Sequence, residues 1–339
     1  MTSKAILKLL AAGACLTFLA AGAEAHDPRK GGGIPAKIAK RMMEHEKNIL
    51  SMDDSDAAKG VYSTMVQWPP TYPKLRVCFF DGSNAARIAV MEVANHWMRS
   101  DIGLRFDWGK KGKPRTCNPD DDKQEQIRVS FNQPGYWSLL GQASSIYAAQ
   151  NEASLNLEGL GDMKPDQIKS GEAAGVILHE FGHALGLMHE HQSPAAVCGK
   201  EFNWEFITNY LSGAPNNWDE ETISFNMKPM SGDDLMMTDF DIKSIMLYSF
   251  PAQYYIGGES SKCFIAASNN AISDTDYATV AYMYPAEASA RMEQFEKQKA
   301  GFQAIWDKSA EQGRKGVMID MVSSFFGTTG TADIADDAD

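Results

Sequence analysis

The sequence lacks an excess of basic residues. Its 32 Lys and Arg are outnumbered by 44 Asp and Glu, which gives a formal net charge of −12. Nucleic acids and anionic membrane surfaces attract proteins with a basic face, so this balance argues against both as partners. The chain also shows no internal repeat, and its 339 residues fit one large globular domain with appendages or two small ones.

A second long apolar run is missing as well. The first, residues 9–23, follows Lys4 and Lys8 and leads into Ala23-Glu24-Ala25, a small-x-small cleavage pattern. These features predict a signal peptide over residues 1–25. A transmembrane anchor is the alternative, but the run is short for a membrane span and no stop-transfer flank follows. We therefore expect a secreted or periplasmic protein with no stable membrane anchor.

Cysteine is scarce, and C-x-x-C spacing is absent, which argues against a cysteine metal knuckle. Removal of Cys15 with the signal peptide would leave Cys78, Cys117, Cys198 and Cys263. An even number of cysteines in an exported chain predicts two disulfides, with three possible connectivities. We favour Cys78–Cys117 with Cys198–Cys263, because each pair falls within one half of the chain.

Residues 179–189 carry the most informative pattern, H-E-x-x-H-x-x-G-x-x-H. On a helix, His179 and His183 project from the same face and can bind one metal ion. Glu180 is placed to act on a water at that metal without being a ligand. Gly186 can end the helix with a positive φ, so that His189 supplies a third nitrogen.

Three protein ligands leave the fourth tetrahedral position of Zn²⁺ open, which distinguishes a catalytic zinc from a structural one. The alternative is a helix with ordinary core and surface histidines. Clustering argues against it, since four of the seven histidines in the chain fall in this stretch: His179, His183, His189 and His191.

The surrounding pattern predicts strands near 74–80, 104–108 and 127–131, a helix from a capping Asn84 to about residue 100, and a metal-binding helix over 168–187. Alternation over 144–157 predicts an edge strand beside the cleft. This order indicates an α+β fold with a twisted, mostly parallel sheet.

Four parts of the chain are predicted: a signal peptide (1–25), an N-terminal arm or pro-segment (26–60), a catalytic domain (61–286), and a helical extension with an acidic tail (287–339). The extension shows one apolar stripe at helical spacing. Its members are Met292, Phe295, Phe302, Ile305 and Trp306.

Downstream, Ser244 to Tyr248 reads S-I-M-L-Y. Together with the long histidine motif, this segment resembles the metzincin clan, in which a methionine turn underlies the three histidines. Met246 matches that methionine. The chain is most similar to the astacin-type metalloendopeptidases, on the His189-Glu190-His191 continuation, on Tyr248, on the segment 135–141 (G-Y-W-S-L-L-G), and on a closing helix at 274–285.

The resemblance implies a zinc-dependent endopeptidase that acts on protein or peptide substrates. It implies His179, His183 and His189 as zinc ligands, Glu180 as general base, and Tyr248 as donor to the developing oxyanion. The implied fold is metzincin-like, with an antiparallel edge strand, two main helices, and a zinc cleft between an N-terminal and a loop-rich C-terminal subdomain.

The sequence departs from the family at Gln192-Ser193-Pro194, where astacins commonly have Arg and Asp. Two rival hypotheses remain. One is a gluzincin-type peptidase with a downstream glutamate as third ligand, against which Gly186 and His189 argue. The other is an exported binding or adhesion protein with a non-catalytic zinc site. The sequence names neither a particular substrate nor an oligomeric state.

Overall fold

The computed structural model describes the central part of the chain in detail. The residues described are 34–35, 37–38, 40–42, 67–120, 124–214, 216–229, 238–297 and 300. The predicted signal peptide and acidic tail lie outside them, as do Phe302, Ile305 and Trp306 of the apolar stripe.

A five-stranded sheet forms the frame of the molecule, with strand order β2-β1-β5-β7-β6. The strands are β1 (Lys74–Phe79), β2 (Arg105–Asp107), β3 (Gly109–Lys110), β4 (Lys113–Pro114), β5 (Ile127–Ser130), β6 (Tyr136–Ser138) and β7 (Leu155–Leu157). All pairings in the large sheet are parallel except that of β6 with β7, and β3 with β4 forms a separate small antiparallel ladder.

Helices pack against this sheet and also occur in the second half of the chain. They are α1 (Asn84–Ala94), α2 (Ala143–Tyr147), α3 (Pro165–Ile168), α4 (Gly171–Ala184), α5 (Cys198–Glu201), α6 (Trp204–Ser212), α7 (Glu220–Met227) and α8 (Asp274–Met283). Residues 288–297 are also helical. Among the residues described, no helix is both long enough and apolar enough to cross a bilayer.

Helices α1 and α4 pack together against the sheet. Phe181 of α4 lies edge-on to Phe106 of β2, with ring centroids 5.2 Å apart. Trp97, just beyond α1, is fully buried and donates a 3.0 Å hydrogen bond from Nε1 to the carbonyl of Leu178. Because protein interiors are close-packed and barely compressible, these contacts hold α4 rigidly. The expected α+β fold with a mostly parallel sheet is confirmed.

A separate apolar cluster lies under the segment after α4. It is rich in aromatic rings, with Phe202, Phe250 and Tyr254 buried at its centre. The Cys198–Cys263 disulfide lies within this cluster, whereas Cys78–Cys117 links β1 to the chain after β4. The favoured pairing of the four cysteines is therefore confirmed.

The predicted edge strand over 144–157 is wrong. The start of that range forms the short helix α2, and its end forms β7, which lies between β5 and β6. All three residues of β7 are buried. The alternation of polar and apolar residues therefore does not correspond to one exposed and one buried face. The antiparallel edge strand is β6, formed by the segment before it.

Helix boundaries also differ from the predictions. Ser83, and not Asn84, caps α1 by accepting the amide of Ala86, and α1 ends at Ala94 before a 3₁₀ turn. The metal-binding helix begins at Gly171, whose φ of +56° separates it from α3. In the helical segment 288–297, Phe295 is buried and Met292 is 48% exposed. The other members of the predicted apolar stripe lie outside the described residues, so the stripe stays a prediction.

Candidate metal centre

Helix α4 carries the first two histidines of the motif. His179 and His183 lie one helical turn apart and are buried, with ring centroids 4.7 Å apart and planes at 90°. This spacing places both imidazoles on the face of α4 that turns toward the second half of the chain. Glu180, one residue along, is fully buried.

The chain reverses directly after α4 to bring back the third histidine. Gly186 has φ of +96°, and its amide donates a 2.7 Å hydrogen bond to the carbonyl of His183. The amide of Leu187 donates to the carbonyl of Gly182 at 3.0 Å, which completes a glycine-terminated helix end. His189 then lies beside the first two histidines, with its ring centroid 4.6 Å from that of His183.

Nitrogen atoms of the three rings converge on one point. The candidate ligand atoms of His179, His183 and His189 all lie within 4.8 Å of one another. The Nε2 atoms of His183 and His189 are 3.0 Å apart. Within the described part of the chain, the buried Nε2 of His179 has no hydrogen-bond partner.

The opposite nitrogen of each ring is held by a hydrogen bond. Nδ1 of His179 lies 2.7 Å from the carbonyl of Ile245, and Nδ1 of His183 lies 2.8 Å from the carbonyl of Leu187. Such bonds fix the ring with Nδ1 protonated and Nε2 available for a metal. Three neutral imidazoles pointing inward suit Zn²⁺, so the residues fit this ion.

Burial determines the electrostatics of the centre. It lowers the pKa of His179 to about 4, and the bond to Ile245 only partly offsets this, so the ring stays in its neutral, metal-binding form at pH 7. Burial also raises the pKa of Glu180 well above its ordinary value. Neither carboxylate oxygen of Glu180 has a hydrogen-bond partner among the residues described. An isolated buried carboxyl group is costly, which is typical of functional sites.

The predicted methionine turn lies beneath the histidines. Met246 is buried, and a Cβ atom added to Gly182 of α4 would come within 2.5 Å of its sulfur. The turn is held by Asp276 of α8, whose carboxylate accepts hydrogen bonds from Ser244 Oγ at 2.6 Å and from the Ile245 amide at 2.9 Å. Because Ile245 also contacts His179, α8 supports the first ligand through this turn.

Tyr248 and Glu190 border the same centre. The ring of Tyr248 lies 4.2 Å from that of His189 and 5.3 Å from that of His179. Burial and then the Glu180 charge raise the pKa of Tyr248 well above its ordinary value, so its hydroxyl remains a donor. Glu190 accepts the amide of Asp241, and burial raises its pKa to about 7.

The structure brings together the three histidines predicted from the sequence, but three supporting residues were not predicted. Gly182 permits the close approach of α4 to the methionine turn. Asp276 holds that turn, and its S-x-x-D capping box with Ser273 is a signal that could have identified it as ordered. Gln192 contacts His189 and was noted only as a departure from the family pattern.

Three inward-facing imidazoles, with a buried carboxyl group next in sequence to the first, define the class of zinc metallopeptidases of the metzincin type. A comparison with known protein families agrees with this class. The model of the Astacin family, a family of peptidases, matches residues 115–284. The chain belongs to the astacin family and is a zinc metalloendopeptidase.

Three solved structures are also similar to this chain. A structure of myroilysin is 27% identical, with a TM-score of 0.51, and the match covers 65% of this chain and 96% of that one. A second myroilysin structure is 23% identical over 65% and 86%, with a TM-score of 0.43. High choriolytic enzyme 1, a hatching enzyme zinc-protease from the medaka fish Oryzias latipes, is 17% identical over 61% and 86%, with a TM-score of 0.38. The curated protein sequences contain no match to this chain.

Proposed function

We propose that this chain is an exported endopeptidase whose zinc ion is held by His179, His183 and His189, with Glu180 as general base. One observation carries the proposal. Ring nitrogens of the three histidines come within 4.8 Å of one another, and the neighbouring carboxyl group is fully buried. A structural metal site needs no such carboxyl group.

The bound zinc would supply a Lewis acid that polarises the scissile carbonyl and makes water acidic at neutral pH. Glu180 takes the proton from the attacking water and later passes it to the leaving amine nitrogen. Tyr248 donates a hydrogen bond from its hydroxyl to the carbonyl oxygen as negative charge develops there.

The substrate is a protein or peptide, and we propose that it binds in extended form along β6. This strand is at the edge of the sheet, so one side of its main chain is available for pairing. The carbonyl of His183 accepts the amide of Gly141 at 2.8 Å, which ties the chain following β6 to α4. A peptide paired with β6 would therefore pass close to the metal-binding helix.

We further propose the domain organisation predicted from the sequence, with residues 1–25 removed on export, 26–60 as an arm or pro-segment, 61–286 as the catalytic domain and 287–339 as an extension. Two disulfides support export, since such bonds persist in oxidising compartments.

Cleavage of a proteome-derived peptide library, read out by mass spectrometry, tests the proposed function and reports the sequence preference. We expect cleavage within peptides that stops when a zinc chelator is added and returns when zinc is restored. Absence of chelator-sensitive cleavage by a correctly processed sample would contradict it. That outcome would favour the exported binding or adhesion protein.

A further inference from the structure

The third histidine differs from the first two in how its ring is held. His189 lies after the end of α4, at the start of a 3₁₀ turn formed by Glu190–Gln192. Its Nδ1 is 3.1 Å from the side-chain oxygen Oε1 of Gln192. The rings of His179 and His183 instead bond main-chain carbonyls. Only the third ring depends on a side chain that substitution can remove.

Gln192 is itself fixed from its other end. Its amide nitrogen Nε2 donates a 3.3 Å hydrogen bond to the carbonyl of Lys228, just after α7. A carbonyl can only accept, so this bond requires the NH₂ group of Gln192 to face Lys228. The oxygen of the same amide must then face His189. The side chain is 6% exposed, so water competes little for either bond.

We propose that Gln192, itself anchored at the end of α7, is a positioning residue that orients His189 as a zinc ligand through its side-chain oxygen. The proposal rests on the proposed function, in which His189 binds zinc. An amide oxygen is an acceptor only, so it holds the proton of the neutral ring on Nδ1 and leaves the lone pair of Nε2 for the metal.

The neighbouring residue strengthens the link to α7. His191 stacks on His189, with ring centroids 5.3 Å apart and planes at 21°. Its Nε2 lies 3.2 Å from the carbonyl of Asn226 in α7. Two side chains of the same 3₁₀ turn therefore reach two carbonyls at the end of one helix, Asn226 and Lys228, and the turn that presents His189 is fixed against that helix.

The test compares three substitutions at this position by competition with a chromophoric zinc chelator on the full chain. Gln192→Leu removes both hydrogen bonds at similar volume, and Gln192→Asn shortens the side chain by one methylene. Gln192→Glu keeps an acceptor toward His189 but loses the donor toward Lys228. Loss of such a partner typically weakens metal binding about 10- to 100-fold, which is the loss expected for Gln192→Leu and Gln192→Asn. Gln192→Glu should stay within a few-fold of wild type.

Gln126→Leu is the matched control. Gln126 is also 6% exposed, accepts one amide hydrogen bond from Arg76 and donates one to the carbonyl of Gln124. It is therefore a buried glutamine with the same kinds of bonds, but on the sheet. We expect its substitution to lower the melting temperature without weakening zinc binding. The visible spectrum of the cobalt-substituted protein gives a second readout, and it should change for Gln192→Leu but not for Gln126→Leu.

Zinc binding by Gln192→Leu within twofold of wild type would overturn the proposal, as would an equal loss in Gln192→Glu and Gln192→Leu. Should Gln192→Leu fail to fold, the comparison of Gln192→Asn with Gln192→Glu decides in the same way. A wild-type chain that binds no zinc would instead contradict the proposed function itself.

Discussion

Helix α4 and the segment that follows it contribute to the same centre by different means. The helix is locked by the main core, where rings such as Phe181 and Trp97 pack against it, and its two histidines bond main-chain carbonyls. The following segment belongs to a smaller aromatic cluster closed by the Cys198–Cys263 disulfide. One side of the site is therefore rigid through its backbone, whereas the other depends on side chains and a covalent link.

The largest effect should come from the rigid side. Glu180→Gln keeps the volume of the side chain but removes the proton acceptor, so we expect kcat/KM to fall about 10²- to 10⁴-fold. Zinc content should not change, because the candidate metal ligands are the three clustered histidines and Glu180 is not one of these ligands. Hydrolysis of a fluorogenic peptide together with metal analysis measures both quantities.

Glu172→Gln is the control on the same helix, since Glu172 lies exposed in its first turn. An active Glu180→Gln enzyme would remove the general base from the proposed mechanism.

Tyr248→Phe tests the side of the site formed by the segment after α4. Loss of one oxyanion donor costs about 2.7–4 kcal/mol in the transition state, which is about 10²- to 10³-fold in kcat. KM and zinc content should change little. Tyr282→Phe serves as control because Tyr282 is 65% exposed. A Tyr248→Phe enzyme with wild-type kcat would show that the hydroxyl takes no part in catalysis.

Removal of the Cys198–Cys263 disulfide should affect zinc binding, whereas removal of the other disulfide should not. The bond closes a loop of 65 residues, and loss of a native disulfide commonly costs about 2–5 kcal/mol of unfolding free energy. We expect the Cys198→Ala, Cys263→Ala double variant to be less stable in denaturant titration and to lose zinc more readily to a chelator.

The Cys78→Ala, Cys117→Ala variant is the comparison. Its loop of 39 residues lies within the sheet half, so it should lose stability but retain zinc in the folded state. Equal zinc loss in both double variants would refute the division into two sides.

Gly182→Ala should have the smallest effect of the four. The new Cβ would approach Met246 Sδ to 2.5 Å, and overpacking of this kind typically costs about 1–3 kcal/mol. The unfolding free energy in urea measures it. Gly213→Ala is the control, because its Cβ would meet its nearest atom only at 3.4 Å. A Gly182→Ala variant with the unfolding free energy of wild type would mean that the methionine turn shifts at little energetic cost.

The sequence predicted the parts of the site that depend on local spacing. The turn at Gly186 and the return of His189 follow from a single run of eleven residues, and the structure has both. Asp276 acts on Ile245, 31 residues away, and the carbonyl of Lys228 that anchors Gln192 is 36 residues away, which a local pattern does not specify. The edge strand was misplaced because β7 is buried on both faces, so its alternation gave no information about position in the sheet.

X-ray absorption at the zinc K-edge, on the purified and processed chain, tests the central claim most directly. We expect one zinc per chain with three imidazole nitrogens at about 2.0–2.1 Å and a further light-atom ligand. Substitution of His189 by Ala should reduce the imidazole count to two. A zinc site with sulfur ligands, with fewer than three imidazoles in the wild type, or with no change in His189→Ala would contradict the proposal.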